Sequence, residues 1–289
     1  MDNNNTDTIW TSVVHQSSHR LTAAITWHVF RLSHLADFIW APGESFLMQL
    51  PPDIDLMGHQ HSDPASRQLY FTPCNSFSHT TAGEQMIEFV LRSGRLSSLV
   101  ATPRFDSLRA SISRVSNGFD LHEFNRNDWQ IIAIAGGTGI SPFLALSSIP
   151  VSGVPNSSRA LFWSIHVRDF GLVVYVLQNS YLLVDEWKKV TIFVTTGTDT
   201  VTISSVEAKC GELRSRLPPG FQDRIEFCCR RMTEQDIRGT QNAEETVGIN
   251  QTNIYFCGSK SLQWQAKRWG IATSAKVLTV SIPEIAILK

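Results

Sequence analysis

The sequence has no apolar run long enough to cross a membrane. Its most apolar stretch, GLVVYVLQNSYLLV (171–184), is interrupted by Gln178-Asn179-Ser180 and falls short of the roughly 20 residues a spanning helix needs. An excess of charge is missing too. Lys and Arg number 25 against 26 Asp and Glu, a formal charge of −1, which provides no electrostatic basis for gripping nucleic acid or an anionic membrane. Cysteine is scarce and irregular: the five lie at positions 74, 210, 228, 229 and 257. That spacing argues against a disulfide framework, and without a CxxC neither zinc nor an iron–sulfur cluster is indicated. The nine histidines form no pattern either. His59 and His61 can share one face of an extended segment or lie in a solvated loop, and no metal is expected. The opening MDNNNTDTIWTS has neither the basic and apolar regions of a secretory leader nor the Arg-rich look of a transit peptide. The expectation is a soluble, intracellular, cytoplasmic protein.

What is present divides the 289 residues into two rhythms, as the length alone suggests. From about 20 to 125 the apolar segments are short and separated by turn chemistry. AAITWHVFRL, ESFLMQLP, LYFTP and MIEFVLR read as strands, with APGE, PPDIDLMG and TAGE between them. This half reads as an antiparallel β-barrel or sandwich. From 129 onward, runs such as IIAIA (131–135), ALFWSI (160–165), VTIFVT (190–195), IEFCC (225–229), IYFCG (254–258) and VLTVSI (277–282) read as strands buried on both faces. Helical stretches fit between several of them, for instance 142–148, 170–184 and 260–269. That alternation predicts an α/β, mostly parallel, doubly wound sheet. The boundaries expected are a polar N-terminal segment (1–19), a barrel domain (20–127) and an α/β domain (128–289).

The stretch IIAIAGGTGISPFLAL (131–146) opens the second half. Glycines at 136, 137 and 139 let backbone N–H groups approach a ligand above the strand ends, with Ser141 as N-cap and Pro142 at the first helical position. A pyrophosphate suits such a turn. A P-loop is unsupported because no lysine closes the turn. A short-chain dehydrogenase is unsupported because no tyrosine has a lysine four residues on. A tight turn with no ligand remains the alternative.

The chain resembles the ferredoxin–NADP reductase superfamily. GGTGISP is similar to that family's nicotinamide-nucleotide loop, and IYFCGS (254–259) to its later Cys-Gly motif. Upstream, FIWAPGESFLMQLP (38–51) resembles the Pro-Gly turn before a barrel strand. LYFTPCNS (69–76) resembles the flavin motif Arg-x-Tyr/Phe-Ser/Thr, and GRLSSLV (94–100) the second flavin motif. The resemblance implies an FAD-binding barrel joined to a Rossmann-like, NAD(P)-binding domain, acting as an NADH- or NADPH-dependent flavoprotein oxidoreductase. Phe71 would line the flavin ring and Thr72 would offer its hydroxyl near the reactive nitrogen. Gly94 and Ser97 would sit under the FAD pyrophosphate, and Gly136, Gly137, Thr138 and Gly139 would approach the nicotinamide-side phosphates. Cys257 would lie near the nicotinamide carbon, and Gly258 would leave room for the ring. Thr72 and Cys257 are the residues expected at the chemistry. Taken alone, Phe71 reads equally as a core residue, Ser97 as a turn cap and Cys257 as an inert buried thiol. The acceptor would be a separate electron-carrier protein or a small molecule.

The chain departs from the pattern at Leu69, where the family's pyrophosphate-binding arginine falls. Arg67 lies two residues earlier, about 6.6 Å along a strand on the same face, and Arg95 is another possible substitute. A second reading follows from Leu69: a reductase-like protein with weak or lost flavin binding, serving as a nucleotide-sensing or partner-binding module. For the adenosine 2′-phosphate, FVTTGTD (193–199) offers no arginine, while CRRMTEQD (229–236) supplies Arg230 and Arg231. These can bind that phosphate or face solvent. Leu69→Arg is expected to tighten FAD retention, measured as flavin content after gel filtration. An unchanged content or poorer folding would mean that the motif is out of register.

Overall fold

The computed structural model describes residues 10–33, 38–51, 68–76, 85–92, 109–116, 118, 129–147, 159–179, 182, 187–197, 201–242, 251–272 and 276–279. Six strands form the first sheet: β1 (Thr11–Arg20), β2 (Ile25–Leu32), β3 (Ser45–Gln49), β4 (Gln68–Phe71), β5 (Met86–Arg92) and β6 (Arg109–Ser116). They pair antiparallel in the order β4-β3-β6-β1-β2-β5. The two ends of this order meet inside, where Phe71 of β4 lies 4.3 Å from Phe89 of β5, centroid to centroid. The sheet thereby curls into a barrel around Phe30, Phe46, Phe71, Phe89, Met48 and Ile112. Before β3, Gly43 has φ +80° and Glu44 N–H donates to Ala41 C=O at 3.2 Å. Pro at the second and Gly at the third position of that turn are the residues it needs.

The second sheet contains β7 (Trp129–Gly136), β8 (Arg159–His166), β9 (Lys189–Thr195), β10 (Ile225–Cys228), β11 (Gln251–Cys257) and β12 (Lys276–Thr279). All its pairings are parallel, in the order β10-β9-β8-β7-β11-β12. Its helices are α1 (Ser141–Ser147), α2 (Phe170–Gln178), α3 (Ile203–Ser215), α4 (Pro219–Gln222), α5 (Glu234–Asn242) and α6 (Lys260–Ala272). The expected two-part fold, an antiparallel barrel and a doubly wound parallel sheet, is what the chain adopts.

Several elements differ from the sequence reading. The polar segment 1–19 was not expected to hold a strand, yet Thr11–Arg20 forms β1, burying only Val13 and His15. β6, RASISRVS, was also unforeseen, because a strand needs few apolar residues when its partners supply the ladder. The helix expected over 170–184 ends at Gln178, where the Asn179 side chain and N–H both donate to Tyr175 C=O. α3 starts at a Thr202 cap and buries Val206, Cys210 and Leu213 at helical spacing.

One buried cluster spans the barrel and the parallel sheet. β2 is buried on both sides: His28, Phe30 and Leu32 belong to the barrel side, while Ile25 and Trp27 join the cluster built on α1 and α2. Tyr175 of α2 stacks on His19 (5.1 Å) and meets Trp27 (5.2 Å). Trp27 Nε1–H donates to Glu88 at 2.8 Å. A Cβ on Gly171 would stand 2.3 Å from Leu21 C=O, so helix and barrel touch backbone to backbone. Among the described residues, no helix is long and apolar enough to cross a membrane.

Burial, with the nearby His15 as a second cause, pushes His28 down from 6.5 to about 3. The folded state therefore holds His28 neutral, whereas the unfolded chain takes up a proton below 6.5. Its contribution to stability is full above 6.5 and is lost as the pH falls toward 3, by up to about 1.4 kcal/mol per pH unit. His28→Phe should flatten the acid slope of the denaturation midpoint between those limits; a slope equal to wild type would refute a neutral buried His28.

Candidate functional site

In the parallel sheet, β7 is flanked by β8 on one side and β11 on the other, so the strand order reverses there. The crevice above such a switch point is where doubly wound sheets bind ligands. β7 ends in Gly136, and Gly137–Ile140 form one 3-10 turn that runs directly into α1. Gly137 has φ +57°, a left-handed conformation that a side chain strains. Trp163 on β8 ties the turn down by donating to Gly137 C=O at 3.0 Å. Ser141 is not the expected N-cap. It already has helical angles (φ −45°, ψ −53°), and its hydroxyl donates back to Thr138 C=O at 2.9 Å. The 3-10 turn leaves no non-helical residue to act as a cap.

The turn packs tightly on the end of β11. A Cβ on Gly139 would lie 2.3 Å from Cys257 C=O, and one on Gly258 would lie 3.0 Å from Gly136. The glycine turn and the Cys-Gly pair, more than 100 residues apart, are thus a single structural unit. Above them opens a cleft of about 820 Å³ whose opposite wall comes from the barrel, within the usual range for small-molecule sites. Phe71, Thr72, Gly136, Gly137, Thr138, Gly139, Cys257 and Gly258 all line it. Arg67, Gly94 and Ser97 lie outside the described residues, as does Arg95. For Leu69 only the backbone is described, paired with Met48 on β3.

The side chains differ in what they can do. Phe71 is 3% exposed and packs between Phe46 and Phe89, so most of its ring is barrel core. Its neighbour Tyr70 also lines the cleft and is less buried. Thr72 is buried, its hydroxyl 3.1 Å from that of fully buried Ser45. Burial pushes the Cys257 thiol up to about 12, so it is a neutral S–H at physiological pH with no nucleophilic character.

Charge enters from residues that belong to no motif in the sequence. Arg92, at the end of β5, crosses from the barrel to pair with Asp169 before α2. Asp169 is buried, whereas the Arg92 side chain is half exposed and its Nη2 lies 3.8 Å from where a Cβ on Gly137 would stand. His166, ending β8, and Thr195, ending β9, extend the same wall. The two arginines considered for a 2′-phosphate separate. Arg230 is committed to Asp236 by two hydrogen bonds of 2.6 and 2.8 Å and lies over Phe193, whereas Arg231 lines the cleft. The bond to Arg230, foremost, holds the Asp236 carboxyl below its ordinary range. Local sequence carries no signal for the Arg92–Asp169 pair, because its members are 77 residues apart. Among the described residues, no group of three or more His, Cys, Asp or Glu is placed to hold a metal.

No protein-family model matches the sequence, and no curated protein matches it. Solved structures do match. The CS–b5R domains of human Ncb5or in the NAD+ form superpose with a TM-score of 0.62 at 11% identity, over 97% of this chain and 72% of that one. The ferredoxin reductase in carbazole 1,9a-dioxygenase gives 0.59 at 16%, over 95% and 69%. A ferredoxin NADP+ reductase from Neisseria gonorrhoeae with bound FAD and NADP gives 0.55 at 11%, over 93% and 97%. The fold is therefore a barrel joined to a doubly wound sheet, with a ligand-sized cleft between them. More particularly, it is the ferredoxin–NADP reductase-like fold.

Gly139→Ala places a methyl carbon inside the Cys257 carbonyl and is expected to cost at least about 1–3 kcal/mol, the usual penalty of overpacking. Chemical denaturation measures this; an unchanged midpoint would contradict the close approach of the two loops.

Proposed function

We propose that the chain is an FAD-containing oxidoreductase that draws on NADH or NADPH and hands electrons to a separate acceptor. The observation that supports this most is the common cleft: barrel residues Tyr70 and Thr72 face the glycine turn and the Cys-Gly pair across one space. The residues present fit a dinucleotide. A Cβ at Gly137 would meet nothing nearer than Arg92, so the floor there is open to a phosphate. Arg92, from the barrel, and Arg231, from the parallel-sheet domain, both line the cleft and supply positive charge to it. The fold of a reductase solved with FAD and NADP is consistent with both groups.

When bound, the nicotinamide supplies a hydride and the flavin accepts it, the chemistry that belongs to the cofactors. The work of the chain is placement. The backbone of Gly137, Thr138 and Gly139 receives the dinucleotide phosphates, and Arg92, steadied by Asp169, balances their charge. Arg231, which lines the cleft, would favour the dinucleotide carrying a 2′-phosphate if it meets that group. Gly258 lets the end of β11 close against Gly136, so that the two loops form one floor under a flat ring, and the neutral Cys257 thiol lies in that floor. Ser45 holds the Thr72 hydroxyl in one orientation, so that it can hydrogen-bond to the flavin edge. Donor and acceptor atoms must be brought to about 3–3.5 Å, which the shared core of barrel and sheet makes possible.

Leu69 favours one other reading, in which flavin is held weakly or not at all and the cleft senses a nucleotide or serves a partner. Purified protein distinguishes the two. Visible flavin absorbance that bleaches on adding NADH or NADPH is the outcome expected. A colourless protein that takes up no FAD would overturn the oxidoreductase. Gly137→Ala, which costs roughly 1–2 kcal/mol of backbone strain, should weaken dinucleotide binding at least tenfold while flavin content stays at the wild-type level. Loss of flavin instead would contradict the assignment of the turn.

A further inference from the structure

Beneath the glycine turn, β8 contributes one large side chain with a polar tip. Trp163 pairs in register with Ala135, next to the start of the turn, and is fully buried. It belongs to the cluster that contains Ile140, Phe143 and Leu144, and its Nε1–H donates to Gly137 C=O at 3.0 Å. A trans peptide unit is planar, so its C=O and the following N–H point in opposite directions. With the Gly137 carbonyl drawn toward the buried indole, the Thr138 N–H points away from that core. Gly137 and Thr138 line the cleft, and Trp163 lies outside that lining. The opposite orientation is open to this peptide on steric grounds, because Gly137 has φ +57° and glycine populates both signs of φ about equally. A flip would turn the carbonyl oxygen toward the cleft and leave the indole N–H buried without an acceptor, which is costly.

We propose that Trp163 is a positioning residue for dinucleotide binding: its indole fixes the Gly137–Thr138 peptide so that an N–H, and not a carbonyl oxygen, meets the phosphates. The inference rests on the oxidoreductase reading above and goes beyond it, since Trp163 touches no ligand itself. A phosphate oxygen only accepts hydrogen bonds, and a backbone N–H bonded to an anion is stronger than one bonded to a neutral group. A carbonyl in the same place would set its negative end against the phosphate. Arg92 borders the same space, with Nη2 3.8 Å from where a Cβ on Gly137 would stand, so the N–H and the guanidinium serve one anion. The neighbouring carbonyl is held separately, because Thr138 C=O accepts from the Ser141 hydroxyl at 2.9 Å. The restraint acts where the phosphates bind and not at the reacting ring. It should therefore govern affinity and leave hydride transfer alone.

The test compares the full wild-type chain with Trp163→Phe, which keeps a buried aromatic ring and removes the donor. Binding of NAD+ and NADP+ is measured by calorimetry, and flavin reduction by NADH and NADPH by stopped flow. The dinucleotide that wild type prefers should bind the variant with a Kd at least about tenfold higher. Flavin content and the limiting reduction rate at saturation should stay within about twofold of wild type. In 15N-threonine-labelled protein, the dinucleotide should move the Thr138 amide resonance of wild type and much less that of the variant, a signature that a merely structural residue would not give. If Trp163→Phe folds poorly, the same measurements apply to the tryptophan isostere at 163 in which sulfur replaces the N–H. A folded variant with the wild-type Kd, an equal Thr138 response, or a loss confined to the limiting rate would overturn the proposal. So would a wild type that binds neither dinucleotide. The two readings fail separately. A colourless wild type that still binds a dinucleotide more tightly than the variant would sink the oxidoreductase and leave Trp163 its role. Flavin that bleaches in both proteins at equal Kd would do the reverse.

Discussion

At the reversal point of the parallel sheet, the carbonyl of Cys257 occupies the space where a side chain on Gly139 would begin. Gly136 and Gly258 approach each other across the same seam. This contact between two loops turns separate strand ends into one continuous floor. It also explains the glycines without any ligand, since the backbones could not otherwise come so close. The ligand argument begins one residue away, at Gly137. There the backbone is left-handed, and the space above holds nothing nearer than the Arg92 guanidinium. Packing accounts for one part of the motif, and open, positively charged space for the other.

That floor is useful only if the opposite wall stays in place. β2 is buried on both faces, so the barrel and the parallel sheet are joined by core rather than by a hinge of polar contacts. Cys74, just beyond β4, is buried in the same cluster as Ile140, Phe143 and Leu144, tying the two walls together beside the cleft. The Arg92–Asp169 pair does the same, with the acid buried and the arginine facing the opening. A buried carboxylate needs its partner, and an exposed guanidinium retains hydrogen-bonding capacity for an anion.

How much of this was legible in the sequence depends on the range of the interaction. Parallel strands such as β7, β8 and β9 are buried on both faces and show as continuous apolar runs. β1 and β6 bury few side chains, and their strand character comes from neighbours brought in by the fold. The glycine turn and the Cys-Gly pair were visible because unusual backbone requires particular residue types. Tyr70 was passed over for Phe71, since two adjacent aromatics look alike until the strand's alternation is fixed by its partners. Arg92, Asp169 and His166 had no local mark at all.

The sequence by itself determined the two rhythms, the phosphate-suited turn and the absence of a disulfide or membrane-spanning pattern. These are consequences of local backbone geometry, side-chain periodicity and residue type, each acting over a few neighbouring positions. Only the tertiary structure decided that turn and Cys-Gly pair are one floor, that Arg92 reaches that floor from the other module, and that the Trp163 indole holds the turn from beneath. Those facts depend on contacts between residues tens to more than a hundred positions apart, and no local pattern encodes which distant surfaces will meet.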